Sequence, residues 1–307
     1  MNEKTAPRSI EQYLAALRAA LAGEDPALVQ DALYDAEEYL RAELAANPAR
    51  NEADTLELIS STYGAPAEVA EAYRTTEKQV RTALAPPPRK APQTAFGRFF
   101  AVYGDSRTWT ALFFMLLSLV TGVFYFTLTV TGLSMSAGLI FLIIGIPVFL
   151  LFVGFTRVLA LAEGRLVEGL LGQRMPRRPL YPTKGIPIFE RIKQMLVDRR
   201  TWTTMFYFLL MLPLGILYFV IATVSICVSL GLIGGSIAGL LLAAGAGSGG
   251  ITLDDHAVFY GPSAFAAPLI LVVGVVLLTA VLHLIRGIGR GHGTLAKHLL
   301  VARSDAG

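Results

Sequence analysis

Side chains able to carry chemistry are scarce in this chain. Its four histidines, His256, His283, His292 and His298, form no His-Glu-x-x-His set, and no Gly-rich phosphate loop runs into a lysine. The sole cysteine, Cys227, lies in an apolar run where a thiolate is poorly solvated, so redox chemistry is not expected. The sharpest polar constellation is Asp254-Asp255-His256 in an otherwise apolar insertion. A carboxylate pair beside an imidazole raises its proton affinity and supplies hard oxygen ligands, so the trio could bind a cation or report pH. A solvated turn needs the same residue types, and that is the commoner meaning of such a trio. His292 and His298 are expected as solvated imidazoles near the cytoplasmic membrane surface. The apolar spans carry no Asp, Glu, Lys or Arg away from their ends, which weighs against an ion or proton transporter. No catalytic residue, cofactor site or metal site is therefore expected, and the chain is not read as an enzyme.

The elements that must position these residues are membrane helices. The 307 residues are 54% hydrophobic and 16% charged, too apolar for a soluble protein of this length. Charge is uneven: residues 1–83 carry net −7 and the remainder net +10. A transmembrane helix needs about 20 apolar residues, and four stretches qualify, at about 110–130, 137–157, 203–224 and 266–286. Basic residues precede the first span, fill the stretch from Arg157 to Arg200, and follow the last span. Cytoplasmic loops carry such an excess, so an even number of crossings with both termini in the cytoplasm is predicted. The apolar stretch 225–245 then belongs to a long bent third helix or a re-entrant segment, where Gly231, Gly235 and Gly239 at four-residue spacing suit close helix packing. The first span lies beyond residue 100 with no leader-like run before it, so the acidic head is expected to stay in the cytoplasm.

The body repeats itself. Asp105-Ser106-Arg107-Thr108-Trp109 recurs as Asp198-Arg199-Arg200-Thr201-Trp202 at an offset of 93, and Gly122 to Phe126 matches Gly215 to Phe219. The match resumes at an offset of 129, pairing Arg157, Leu166, Leu170 and Leu171 with Arg286, Leu295, Leu299 and Leu300. Two duplicated hairpins, about 105–172 and 198–302, are expected. Trp109 and Trp202, with Arg107 and Arg200, read as membrane-interface anchors. Each copy ends in an amphipathic stretch expected to float at the inner leaflet, held by acidic lipid. An aromatic lead-in with Phe96, Phe99, Phe100 and Tyr103 is expected at the headgroups before the first span.

Residues 1–83 read as a small helical bundle. Ser9 caps a stripe of Ile10, Tyr13, Leu14, Leu17 and Leu21, and Asp25-Pro26 opens a longer helix with an acidic face of Asp31, Asp35 and Glu38. A third helix stops at Gly64 and a fourth starts at Pro66. Residues 84–97, with Pro86-Pro87-Pro88, form a stiff linker, and the membrane domain follows over 98–302. The fold class is thus all-α: a cytoplasmic helical bundle joined to a polytopic transmembrane helical domain.

Asp35-Ala36-Glu37-Glu38-Tyr39-Leu40 followed by Tyr63-Gly64-Ala65-Pro66-Ala67-Glu68-Val69-Ala70-Glu71-Ala72-Tyr73 resembles the HAAS domain, an α-helical signalling module associated with helix-turn-helix regulators. Tyr63, Gly64, Pro66, Val69, Ala70 and Tyr73 carry that resemblance. It implies a signalling partnership with a PadR-type transcription regulator and no direct contact with nucleic acid. The duplicated body resembles a membrane sensor domain of bacterial signalling proteins, through its Arg-Thr-Trp starts, its Gly122 and Gly215 sites, the Gly138-Leu139-Ile140 turn exit and the Arg157 to Leu171 tail. The expected function is a multi-pass sensor of the cell membrane whose head engages a cytoplasmic protein, with Asp31, Asp35 and Glu38 as the candidate contact. Two rivals are a transporter or permease accessory subunit, and a lipid-acting enzyme that would gather His283, His292 and Glu163 at one place.

Overall fold

The computed structural model describes residues 7–48, 50–83, 94–139, 144–178, 193, 197–244, 251–253, 256–259 and 266–301. The head comprises α1 (Ile10–Ala20), α2 (Pro26–Ala46), α3 (Glu52–Thr62) and α4 (Pro66–Ala83). Each start has a local cause. The Ser9 side chain accepts from the Gln12 amide, Asp25 accepts from Ala27 with Pro26 at the first helical position, and Asn51 accepts from Asp54. Glu68 reaches back to the Ala65 amide at 3.0 Å, closing the first turn of α4. Between α3 and α4 the chain turns at Gly64 with φ +108°, a left-handed conformation that costs a side-chain-bearing residue about 1–2 kcal/mol. Tyr13, Leu17, Leu21, Leu40, Leu56, Ile59, Val69 and Ala70 meet in one buried core. Fully burying one such Leu contributes about 2 kcal/mol.

The body begins with α5 (Ala95–Phe100) and a 3-10 turn (Ala101–Gly104), followed by α6 (Ser106–Leu139), α7 (Gly145–Leu171), α8 (Arg199–Ala243) and α9 (Ala266–Leu300). The last four are long and apolar enough to cross a membrane. The third is a single long helix, the first of the two alternatives that the sequence leaves open for residues 225–245. Its 45 residues run unbroken through Pro213 for about 67 Å, twice the roughly 30 Å of a bilayer's hydrocarbon layer. Between α8 and α9 the insertion carries a short antiparallel ribbon, β1 (Ile251–Leu253) with β2 (His256–Phe259), paired Leu253 to His256 and Thr252 to Ala257.

Two sequence expectations need correction, and a third gains detail. The amphipathic tails do not float apart from the bundle: α7 and α9 continue unbroken to Leu171 and Leu300, with Glu163, Val167 and Ala296 fully buried. Glu163 there meets tyrosines of α6 and α8, Glu168 meets Arg177 and Lys297 meets Asp25. Secondly, Gly231 of the glycine row is not at a crossing, since a Cβ there would meet no neighbouring atom, although Gly239 is buried. The close approach lies at Gly122 and Gly215, where a Cβ would fall 2.4 Å from the Met211 carbonyl oxygen and 2.3 Å from that of Ser118. Here α6 and α8 touch backbone to backbone, which only glycine allows. Thirdly, the lead-in packs on protein: the Tyr103 hydroxyl lies 3.0 Å from Thr279 Oγ1, and His283 stacks on Phe99 with its Nε2 2.9 Å from the Phe99 carbonyl.

Candidate functional site

The interior of the body holds a chain of polar side chains drawn from four helices. Glu163 of α7 is 0% exposed. Its Oε2 accepts from the Tyr125 hydroxyl of α6 at 3.0 Å, and its Oε1 from the Tyr207 hydroxyl of α8 at 2.8 Å. The Tyr207 oxygen also lies 3.0 Å from Nε2 of His292 on α9, and the Tyr218 oxygen 3.2 Å from Nδ1 of the same ring. Phe114 flanks His292 at a centroid distance of 4.8 Å, and Phe208 stacks on Tyr125 at 4.5 Å. A carboxylate in apolar surroundings is tolerated only when hydrogen-bonded or neutralised, and both Glu163 oxygens here have a tyrosine donor.

Positions that share an offset make matching contacts. Tyr125 and Tyr218, 93 apart, bond Glu163 and His292, which are 129 apart. Arg286 pairs with Asp105 at 3.0 Å, and Arg157 with Asp198 at 3.5 Å, the same two offsets across the two halves. Gly122 and Gly215 meet Met211 and Ser118, again 93 apart.

A second constellation joins the head to the body. After α7 the chain leaves through Gly172, with φ +71°, into the basic stretch Gln173 to Arg178. Asp31 Oδ1 accepts from the Arg177 and Arg178 amides at 2.8 and 2.9 Å, and its Oδ2 from the Arg174 guanidinium at 3.0 Å. Arg174 also forms an ion pair with Glu77 at 3.1 Å, and Arg178 pairs with Asp35 at 2.8 Å. Gln30 bridges the Arg178 carbonyl at 3.1 Å and the Arg200 guanidinium at 2.8 Å, while Lys297 reaches Asp25 at 2.6 Å. Ala27, fully buried, belongs to the apolar core of the body. Burial raises the Asp31 carboxyl above its ordinary range, while the two amides and Arg174 pull the other way. Burial and the Asp35 carboxylate push the Tyr73 phenol well up, so its hydroxyl stays a donor, 2.9 Å from Asp35.

The sequence-derived candidates fall in several places. Asp31 and Asp35 face Arg174 to Arg178 of the same chain, whereas Glu38 is exposed. Tyr63 stacks on Tyr39 at 4.4 Å, the Gly64 carbonyl accepts from Tyr13 at 2.8 Å, Pro66 opens α4, and Val69 and Ala70 are buried. Trp109 and Trp202 are half-exposed on the outside of the bundle, the first donating to the Tyr103 carbonyl at 3.0 Å. Arg107 stands beside Trp109 in the first turn of α6, and Arg200 turns to Gln30. Asp254, Asp255 and residues 84–93 of the Pro-rich linker lie outside the described residues, whereas residues 95–97, assigned above to the linker, open α5; His256 opens β2. His292 is not the solvated imidazole expected, being 2% exposed. Glu163, placed by the sequence in a surface tail, is instead an ionisable group inside the helical body, because α7 extends beyond its apolar run. Glu163 and His292 are brought together through Tyr207, while His283 goes to Phe99. Tyr125, Tyr207 and Tyr218 were not singled out by residue type. The two offsets would have found most of the site, since they align Tyr125 with Tyr218 and Glu163 with His292.

Among the described residues, no group of three or more His, Cys, Asp or Glu side chains could hold a metal ion. No curated protein and no solved structure matches the chain. A family model described as "Putative sensor" matches residues 114–300, which takes in α6 to α9 with the buried tyrosines, Glu163 and His292, and well over half the sequence. The chain therefore belongs to this sensor family, with its four membrane-length helices forming the sensor domain and the helical head preceding it.

Proposed function

We propose that this protein is an integral membrane signalling protein in which the four-helix body senses a condition of the membrane or envelope and the head relays it to a cytoplasmic protein. The observation that carries this reading is the clamp between the acidic face of α2 and Arg174 to Arg178, which couples the sensor domain to the module that resembles a HAAS domain. A partner of the PadR transcription-regulator type follows from that resemblance. The matching contacts at offsets of 93 and 129 support two duplicated hairpins inserted in the same direction. Arg174, Arg177, Arg178, Arg200 and Lys297 gather at the end of the body that binds the head. The positive-inside rule puts that end, the head and both termini in the cytoplasm, in a multi-pass protein of the cell membrane.

Co-purification of the solubilised chain with cytoplasmic proteins, with and without residues 1–83, tests the reading. Head-dependent capture of a helix-turn-helix regulator is expected, and the absence of any head-dependent partner sinks it. Glu163 lends weight to the second reading, a transporter or permease accessory subunit, because a buried carboxylate is common on ion pathways. Proton or ion flux in reconstituted vesicles that is lost in Glu163→Gln would favour that reading over signalling.

A further inference from the structure

Tyr207 has one hydroxyl proton and two neighbours, Glu163 at 2.8 Å and His292 at 3.0 Å. That lets the run of bonds through a neutral His292 point in either of two directions. In the first, Tyr218 donates to Nδ1 of His292, Nε2–H donates to Tyr207, and Tyr207 and Tyr125 both donate to a Glu163 carboxylate. In the second, every bond in the run from Tyr218 to Glu163 is reversed. A protonated Glu163 donates to Tyr207, Tyr207 donates to Nε2, and Nδ1–H donates to Tyr218. The second arrangement holds one more proton than the first. Conversion takes up one proton from the medium to form an N–H bond at Nδ1, turns the Tyr218 hydroxyl proton away from the ring, moves the Nε2 proton to the Tyr207 oxygen, and moves the former Tyr207 proton to Glu163 Oε1. Each bond in the run from Tyr218 to Glu163 keeps one donor and one acceptor, and the buried negative charge is discharged.

The surroundings favour such an exchange. α6 contributes Tyr125 and Phe114, α8 contributes Tyr207, Phe208 and Tyr218, and α9 contributes His292. The charged side chains of the neighbouring elements turn to one another: Arg157 to Asp198, Arg286 to Asp105, and Arg174 to Asp31 and Glu77. Tyrosine hydroxyls are the hydrogen-bond partners of both Glu163 oxygens and both His292 nitrogens. The residues that follow Glu163 and His292 are Gly164 and Gly293. A Cβ at Gly164 would sit 3.5 Å from Met175 Cβ, and one at Gly293 2.5 Å from Gln173 Cγ. The backbone beside Glu163 and beside His292 thus packs on the segment that holds Arg174 against the head.

We propose that Glu163, Tyr207, His292 and Tyr218 form a proton-binding site of the sensor domain, whose occupancy is passed through Gln173 to Met175 to the docked head. This deepens the signalling reading and rests on it for its biological meaning. Proton binding itself is measured without any partner, so the two can fail separately. The experiment is infrared difference spectroscopy on the full chain in lipid nanodiscs, titrated between about pH 5 and about pH 8, with the head-to-body distance followed by paired spin labels. A carboxylic-acid C=O band is expected to grow on acidification, to be lost in Glu163→Gln, and to persist with a moved midpoint in Tyr207→Phe, which cuts the chain but leaves the acid. The distance distribution is expected to change with the same midpoint in the parent chain only. Thermal melting of both variants establishes that they fold. Absence of a Glu163-dependent band across the range, or the same band in Glu163→Gln, overturns the proton site. A titrating band with an unmoved head overturns the coupling.

Discussion

Replacing Asp31 with Ala should release the head from the body, and the geometry sets the size of the effect. The Asp31 and Arg174 side chains are 8% and 11% exposed, so the pair is a buried one. Removing one partner of such a pair costs about 3–5 kcal/mol, because the other is left desolvated. Arg174 keeps its ion pair with Glu77 at 3.1 Å and its bond to the Met175 carbonyl at 2.9 Å, which places the expected cost near about 3 kcal/mol. That is roughly a hundredfold shift of the docking equilibrium. Asp35, one helical turn away with the same charge, pairs with an Arg178 that is 53% exposed, so Asp35→Ala should cost less than about 1 kcal/mol. The assay is the distance distribution between labels at Glu57 and Arg165, both on exposed positions, in a chain with Cys227→Ser. A narrow distribution in the parent should broaden in Asp31→Ala and stay narrow in Asp35→Ala. Equal effects of the two substitutions would mean that net charge holds the head rather than burial, and an unchanged Asp31→Ala would refute the clamp.

Other consequences can be checked on the same material. Gly215→Ala forces a methyl to 2.3 Å from a backbone carbonyl and should destabilise the body by about 1–3 kcal/mol; Gly231→Ala, open on all sides, serves as the control in thermal melts in detergent. Asp198→Ala removes both the N-cap of α8, where the side chain accepts from the Arg200 amide at 3.0 Å, and the bridge to Arg157. It should cost about 1–2 kcal/mol, measured by the shift in denaturation midpoint. In the head, Tyr13→Phe loses the bond to the Gly64 carbonyl and should cost about 1 kcal/mol in urea unfolding followed by circular dichroism. Gly293→Leu should drive a side chain into Gln173 and loosen the head without touching any residue that bonds it, which the label distances would report.

What could be read directly from the sequence was what has a local cause. The head helices start where Ser9, Asp25 with Pro26, and Asn51 supply caps, and the turn sits where Gly64 tolerates a left-handed backbone. The four spans stand out because twenty apolar residues in a row need no partner to be recognised. The hidden features depend on contacts distant along the chain. Glu163 looked like a surface residue because its immediate neighbours alternate with charges, and its burial rests on Tyr125 and Tyr207, 38 and 44 residues away. The same holds for Asp31, whose guanidinium partner lies 143 residues on. Spacing alone likewise cannot separate Gly231 from Gly215, since a glycine becomes a contact only when a second helix arrives.

The matched positions of Glu163 and His292 have a consequence for what a single polypeptide can do that a pair of identical subunits cannot. In an isologous dimer, the residues related by the twofold axis are the same on both sides. A carboxylate would then be joined to a carboxylate, or an imidazole to an imidazole, and like charges brought close resist ionising together. In the duplication proposed above, encoding both halves in one chain lets the two positions diverge, so that an acid stands at one end of the tyrosine bridge and a base at the other. The bridge acquires a direction, and the two ends of an otherwise balanced bundle cease to be interchangeable.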